Sequence, residues 1–158
     1  MSSPLRILFV CMGNICRSPA GENVLRHLVE ARGLNSQYVI DSAGTIGYHV
    51  GEAPDSRMSE AGKQRGIDFK GSSRQFSAAD FENFDLIVTM DESNREGVLQ
   101  LAKTPGDEGK VRSFCSFVSS HQDREVPDPY YGGTQGFEHV MDLMKDGCEG
   151  ILKEFSSS

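Results

Sequence analysis

Cys11 and Arg17 stand six residues apart in Cys11-Met12-Gly13-Asn14-Ile15-Cys16-Arg17-Ser18-Pro19, and they are the side chains of this sequence best suited to chemistry on a phosphate. A thiolate is a strong nucleophile. The planar fork of an arginine grips two phosphoryl oxygens in a way that lysine does not copy. A loop whose backbone amides point inward makes a cradle for a tetrahedral oxyanion, and those amides, a following helix dipole, Arg17 and the Ser18 hydroxyl all favour the thiolate form of Cys11. A Cys-x5-Arg spacing is weak on its own, since a buried core thiol beside a solvated helix-end charge has the same spacing.

The surrounding elements supply the context that such a pair needs. Ile7-Leu8-Phe9-Val10 is an unbroken apolar run that suits a strand buried on both faces. Gly13 and Asn14 are the residues that best tolerate a tight, partly left-handed turn. Ser18 reads as a helix N-cap, with Pro19 as the first helical residue. Strand, loop and helix start therefore follow one another, with the loop residues Met12, Gly13, Asn14, Ile15, Cys16, Arg17 and Ser18 around the anion and Cys11 at the floor.

Further along, Ala20, Val24, Leu25, Leu28 and Val29 share one face of a helix ending near Arg32-Gly33. Gly21 inside that helix either permits close packing on a sheet or is tolerated at about 1 kcal/mol against alanine. Tyr38-Val39-Ile40 reads as a second strand running out through Asp41-Ser42-Ala43-Gly44, and Asp55 caps a weak helix reaching Gly66. Residues 77–81 read as a short capped helix, and Leu86-Ile87-Val88 as a third strand. A helix over 92–103 follows Asp91, then a turn over 104–109 and a fourth strand over 111–114. A final amphipathic helix carries Phe137, Val140, Met141, Met144, Cys148, Ile151, Leu152 and Phe155 on one face. The repeated βαβα order predicts an α/β fold: a flavodoxin-like three-layer sandwich with a central parallel sheet of about four strands, residues 1–158 forming a single domain.

In such a sheet the carboxyl ends of adjacent strands meet at one crevice. Ser42 is then either an ordinary strand-end hydroxyl or a partner for Asn14, and Asp91 either caps its helix or orients a neighbouring loop group. Tyr48 and His49, the bulky members of a loop over 45–54, form a wall beside the phosphate site or a lid over the core. The irregular stretch over 116–133 is long enough to be functional. It holds Pro127-Asp128-Pro129-Tyr130-Tyr131, where two prolines stiffen the backbone and aromatics lower the local dielectric. A phosphoryl transfer from a poor leaving group needs an acid, and Asp128 is the best candidate, although Pro-Asp-Pro is equally good turn chemistry.

Sixteen basic against twenty-three acidic residues give a net charge of −7, which argues against nucleic acid or an anionic membrane as partner. No run has the length of a membrane span and the N-terminus does not read as a signal peptide, so the expected location is cytoplasmic. The four cysteines show no C-x2-C spacing and the four histidines no ligand-spaced pairs, so no metal and no cofactor are expected.

The loop 11–19, the Asp41-Ser42-Ala43-Gly44 strand end, Arg74-Gln75, Met90-Asp91-Glu92-Ser93-Asn94 and Asp128-Pro129-Tyr130-Tyr131-Gly132 closely resemble the low molecular weight protein tyrosine phosphatases, in that family's order and over essentially the whole chain. The resemblance implies that Cys11 is the nucleophile, that Arg17 binds the phosphoryl group and that Asp128 acts as general acid and then as base. It implies that Asn14 and Ser42 brace the loop, that Ser18 eases thiolate departure, and that Ile15, Tyr48, His49, Tyr130 and Tyr131 line a slot for a tyrosine ring. It implies a phosphotyrosine-containing protein as partner, a monomer with at most weak self-association, no metal, and a reversible disulfide between Cys11 and Cys16. Related arginine phosphatases resemble the family but carry threonine where Ile15 stands, so an aromatic substrate is favoured. Gly71-Ser72-Ser73 stands where vertebrate members have a histidine, and Tyr48 replaces their tryptophan, so loop bracing and substrate choice are where this chain departs. The rival readings are an arsenate reductase on the same fold, which needs further relay thiols, and a non-catalytic phosphotyrosine-binding module.

Overall fold

A computed structural model describes residues 3–130 and 132–155. Four parallel strands, β1 (Leu5–Cys11), β2 (Tyr38–Gly44), β3 (Leu86–Thr89) and β4 (Val111–Ser113), form one sheet in the order β2-β1-β3-β4. The α-helices are α1 (Arg17–Ala31), α2 (Ser56–Lys63), α3 (Asp80–Asn83), α4 (Glu92–Leu99), α5 (Pro105–Gly109) and α6 (Thr134–Phe155).

β1 lies between β2 and β3, and its apolar run is explained by burial on both faces. Ile7, Phe9 and Cys11 pack with Val24 and Leu25 of α1 and Val140, Met144 and Cys148 of α6. Leu8 and Val10 face the other way, onto Phe76, Phe81, Phe84 and Val98. Helices thus flank an all-parallel sheet, as expected. Gly21 is where α1 meets the sheet: a Cβ there would stand 2.7 Å from Phe9 Cδ1, so the close-packing reading of this glycine is the correct one.

Several local expectations need correction. Ser18 is not the N-cap of α1, which starts two residues earlier than expected, at Arg17, and has no side-chain cap; the Ser18 hydroxyl is engaged within the loop instead. Residues 104–109 are not a simple turn. The Thr104 hydroxyl accepts from the Asp107 amide at 3.0 Å and Pro105 occupies the first turn, so a five-residue helix, α5, forms there. The helix after Asp91 stops at Leu99, and the fourth strand at Ser113, where a 3₁₀ turn (Phe114–Phe117) begins. The short helix expected over 77–81 lies at Asp80–Asn83, with the Ser77 amide donating to Asp80 Oδ2.

Candidate active site

β1 ends at Cys11 and α1 begins at Arg17, so the loop between them spans the carboxyl end of the central strand and the helix N-terminus. Asn14 takes the left-handed turn, with φ at 58°. The loop carbonyls are held from outside. Cys11 O accepts from the Thr45 amide at 2.9 Å, Met12 O from Ile46 at 3.1 Å and Ile15 O from Asp55 at 2.8 Å. Gly13 O accepts from the Ser73 hydroxyl at 3.0 Å. A planar trans peptide directs its N–H opposite to its C=O, so tying these carbonyls outward turns the amides inward over Cys11. The Asn14 amide donates to Cys11 Sγ at 3.3 Å, and the Ser18 hydroxyl lies 3.0 Å from the same sulfur.

Asn14 is the hub of the brace. Its Nδ2 donates to Ser18 Oγ at 2.8 Å and to Ser42 Oγ at 2.9 Å, and its Oδ1 accepts from the Arg74 amide at 3.0 Å. Ser42 is therefore a partner for Asn14 and more than a strand-end hydroxyl. Its own hydroxyl donates to the buried Glu22 at 2.6 Å, and Glu22 is in turn paired with Arg26 at 2.6 Å. At the end of β2, Gly44 leaves room for the loop: a Cβ there would stand 2.7 Å from Met12 O.

Arg17 is 3% exposed and held on two sides, with Nη1 donating to Asp91 Oδ2 at 2.6 Å and to Val126 O at 3.0 Å. Its Nη2 lies 3.7 Å from Asp128 Oδ2. Burial works against the guanidinium charge, but Cys11, Asp91 and Asp128 outweigh it and hold its pKa above the ordinary value. Asp91 combines both of its expected readings: one carboxylate oxygen accepts from the Asn94 amide at 2.8 Å in a capping box, and the other holds Arg17. Asp128 does the same, turning its loop by accepting from the Tyr130 amide at 3.0 Å while lining the cleft above Cys11.

That cleft is open to solvent and is lined by Cys11 and Arg17 together with Ile15, Ile46, His49 and Tyr130. His49 bonds Glu52 through Nδ1 at 2.8 Å and stands 6.4 Å from the Tyr130 ring. Tyr48 is not part of the lining. It is 82% exposed and edge-on to His49, with centroids 4.8 Å apart. Tyr131 lies outside the described residues. Cys16 is buried in the same loop. Burial first, then Asp55, Cys11 and Asp128, push its thiol well above the ordinary range. Among the described residues no group of three His, Cys, Asp or Glu side chains is placed to hold a metal ion, and no helix is long and apolar enough to cross a membrane.

Reading the sequence missed Glu22, Ile46, Ser73, the Val126 carbonyl and Arg57. Arg57 chelates Asp55, and its guanidinium lies 5.2 Å from the Tyr130 ring and 4.8 Å from that of Phe137. Only Glu22 carried a signal: an acidic residue among the apolar positions of α1, with Arg26 four residues on.

The family model described as low molecular weight phosphotyrosine protein phosphatase matches residues 6–158. The chain belongs to that family. A Synechocystis relative whose name places it among the low molecular weight protein-tyrosine-phosphatases is 49% identical over 148 residues, 94% of each chain. A crystal structure of a protein tyrosine phosphatase from Entamoeba histolytica is 41% identical with a TM-score of 0.92, over 95% of this chain and 96% of that one. The structure of a Drosophila arginine phosphatase is also similar, at 35% identity and a TM-score of 0.90 over 98% and 99% of the two chains. As a member of the family, the chain is a cysteine-dependent phosphomonoesterase of the low molecular weight tyrosine phosphatase type.

Proposed function

We propose that the chain removes phosphate from phosphotyrosine side chains of proteins through a phosphocysteine intermediate. The observation that carries this is the meeting of Cys11, Arg17 and Asp128 in one cleft whose walls, Ile15, Ile46, His49 and Tyr130, suit a flat ring. The Cys11 thiolate attacks phosphorus in line. The S–P bond forms as the P–O bond to the tyrosine breaks, and the Asp128 carboxyl gives its proton to the departing phenolate. Inward-facing amides and Arg17 hold the equatorial oxygens, while Asp91 and Val126 O hold Arg17 in place. In the second half a water attacks phosphorus, the Asp128 carboxylate takes its proton, and the thiolate leaves toward the Ser18 hydroxyl, 3.0 Å from the sulfur.

The likeness to an arginine phosphatase makes a phosphoarginine substrate the second reading. Against it stands Ile15, which offers the cleft no acceptor for a guanidinium. An arsenate relay finds no support in the other thiols: Cys148 is fully buried in α6 against Gly21 O, and Cys115 sits on the turn after β4, outside the cleft. The test is kcat/KM on a phosphotyrosine peptide and on its phosphoarginine counterpart, for wild type, Cys11→Ser and Ile15→Thr. Wild type favours phosphotyrosine, Cys11→Ser falls to background on both, and Ile15→Thr moves the ratio toward phosphoarginine. A wild-type preference for phosphoarginine overturns the substrate assignment, and an active Cys11→Ser overturns the mechanism.

A further inference from the structure

Asp128 is carried on a stretch between the end of the 3₁₀ turn at Phe117 and the start of α6 at Thr134 whose described residues form neither strand nor α-helix. Such a segment does not hold a carboxyl over a reacting atom unless something fastens it. Its first half is fastened to α6 at two places. Asp146 accepts from the Ser119 amide at 3.0 Å, the Ser119 hydroxyl at 3.3 Å, the Ser120 amide at 2.8 Å and His121 Nδ1 at 2.7 Å. Two helical turns earlier, His139 Nε2 pairs with Asp123 at 2.8 Å, and the His121 and His139 rings meet edge to face with centroids 6.0 Å apart. The side chain of Asp146 is only 7% exposed, so these bonds are made largely out of water, where they are strongest. Both carboxylates are charged. Burial raises Asp146, but the Ser119, Ser120 and His121 bonds outweigh it, and the His139 bond lowers Asp123. Closer to the acid, Glu125 accepts from the Glu92 amide at 2.6 Å and the Val126 amide donates to Met90 O at 2.8 Å.

We propose that Asp146 and His139 on α6 are positioning residues for the general acid, fixing through Ser119, Ser120, His121 and Asp123 where the Asp128 carboxyl stands over Cys11. Neither residue lines the cleft. The proposal rests on Asp128 being the acid. It makes a specific claim about rate: loosening the fastening harms the proton transfer and spares the phosphate cradle, which is braced from β2, α1 and the segment at Ser73-Arg74.

The experiment compares Asp146→Ala, His139→Ala, Asp128→Ala and the double variant Asp146→Ala/Asp128→Ala. The readout is kcat/KM on phosphotyrosine, whose leaving phenol needs a proton, and on an aryl phosphate with a strongly acidic phenol, which does not. Competitive inhibition by inorganic phosphate reports the cradle. Asp146→Ala is expected to lose about tenfold on phosphotyrosine and little on the acidic ester, with unchanged phosphate inhibition, since a displacement of about 1 Å in a reacting group costs up to a hundredfold. His139→Ala, at a more exposed position, shows the same pattern more weakly and carries the test if Asp146→Ala does not fold. Added to Asp128→Ala, the Asp146 change costs nothing further on phosphotyrosine. Equal losses on both esters in Asp146→Ala and His139→Ala, or additive losses in the double variant, overturn the positioning role. If Asp128→Ala itself shows no dependence on the leaving group, the assignment of the acid fails instead.

Discussion

Replacing Asn14 separates what its side chain contributes from what its backbone conformation costs. The residue is 2% exposed and its φ is 58°. Its amide makes three bonds, to Ser18, Ser42 and the Arg74 backbone. Removing a buried hydrogen-bonding group costs about 1 kcal/mol per bond, so Asn14→Gly, which keeps the left-handed turn at no steric cost, loses about 3 kcal/mol. Asn14→Ala loses the same bonds and also places a Cβ at positive φ, adding about 1 kcal/mol. The order of the two variants, glycine above alanine, is thus the reverse of helix propensity. The assay is urea unfolding at constant m-value, with the thermal midpoint expected to fall by about 10 °C for the glycine variant in a chain of this size. In parallel, inorganic phosphate should inhibit both variants more weakly than wild type, because the amides that face the anion are no longer held by the Ser42 and Arg74 segments. Alanine equal to or more stable than glycine would refute the strained-turn argument. Wild-type phosphate inhibition in both variants would refute the brace.

Two other outcomes follow from the same geometry. Burial, with Asp123, Glu125 and Asp146 nearby, pushes the Cys115 thiol up to about 11, and burial likewise raises Cys16 and Cys148. A raised thiol becomes a nucleophile only as pH climbs toward that value, so iodoacetate at pH 7 should modify Cys11 alone, with protection by phosphate, and reach Cys115 only in strong alkali; comparable labelling of Cys115 at pH 7, by peptide mapping, contradicts this. Met12, Ile46 and Tyr130 of the cleft lining, and Tyr48 against His49, are exposed apolar side chains, while Asp128 and Glu52, which is bonded to His49, are nearby carboxylates. Covering a few tens of Å² of that surface favours apolar residues beside the phosphotyrosine over acidic ones by about fivefold in KM, and equal KM for the two peptide sets would remove the rim from substrate recognition.

The loop from Cys11 to Ser18 was legible in the sequence because strand, turn and helix start are contiguous, and each of the three is written in local residue types. Asp91 was legible as a cap for the same reason. Ser18 was misread as a cap because serine before proline has that form locally, whereas its hydroxyl is claimed by the sulfur and by Asn14. Ser73 and Arg74 were legible only through the resemblance, with no contact to the loop expected of either, and Val126 O escaped entirely: all three reach the site through backbone groups or single bonds from far along the chain, and no periodicity encodes such a contact. The five-residue α5 escaped because Thr104-Pro105-Gly106-Asp107-Glu108-Gly109 has the composition of a turn, and only the Thr104 to Asp107 spacing marks a helix.

The order of the sheet explains why the acid is supported differently from the nucleophile. Parallel strands end along one edge. There β1 delivers Cys11, β2 delivers Ser42 and Gly44, and β3 is followed, after Met90, by Asp91, each strand set by the hydrogen-bonded register of its neighbours. β4 is an edge strand only three residues long, and the chain then leaves the sheet before reaching Asp128. Three strand ends thus give the phosphate cradle a rigid base, whereas the acid lies on no strand end itself and is placed by bonds to α4, to Met90 just after β3, and to α6. Changes at strand ends should therefore weaken the reaction of every ester alike, and changes in the fastening of the acid should sort esters by the basicity of what they release.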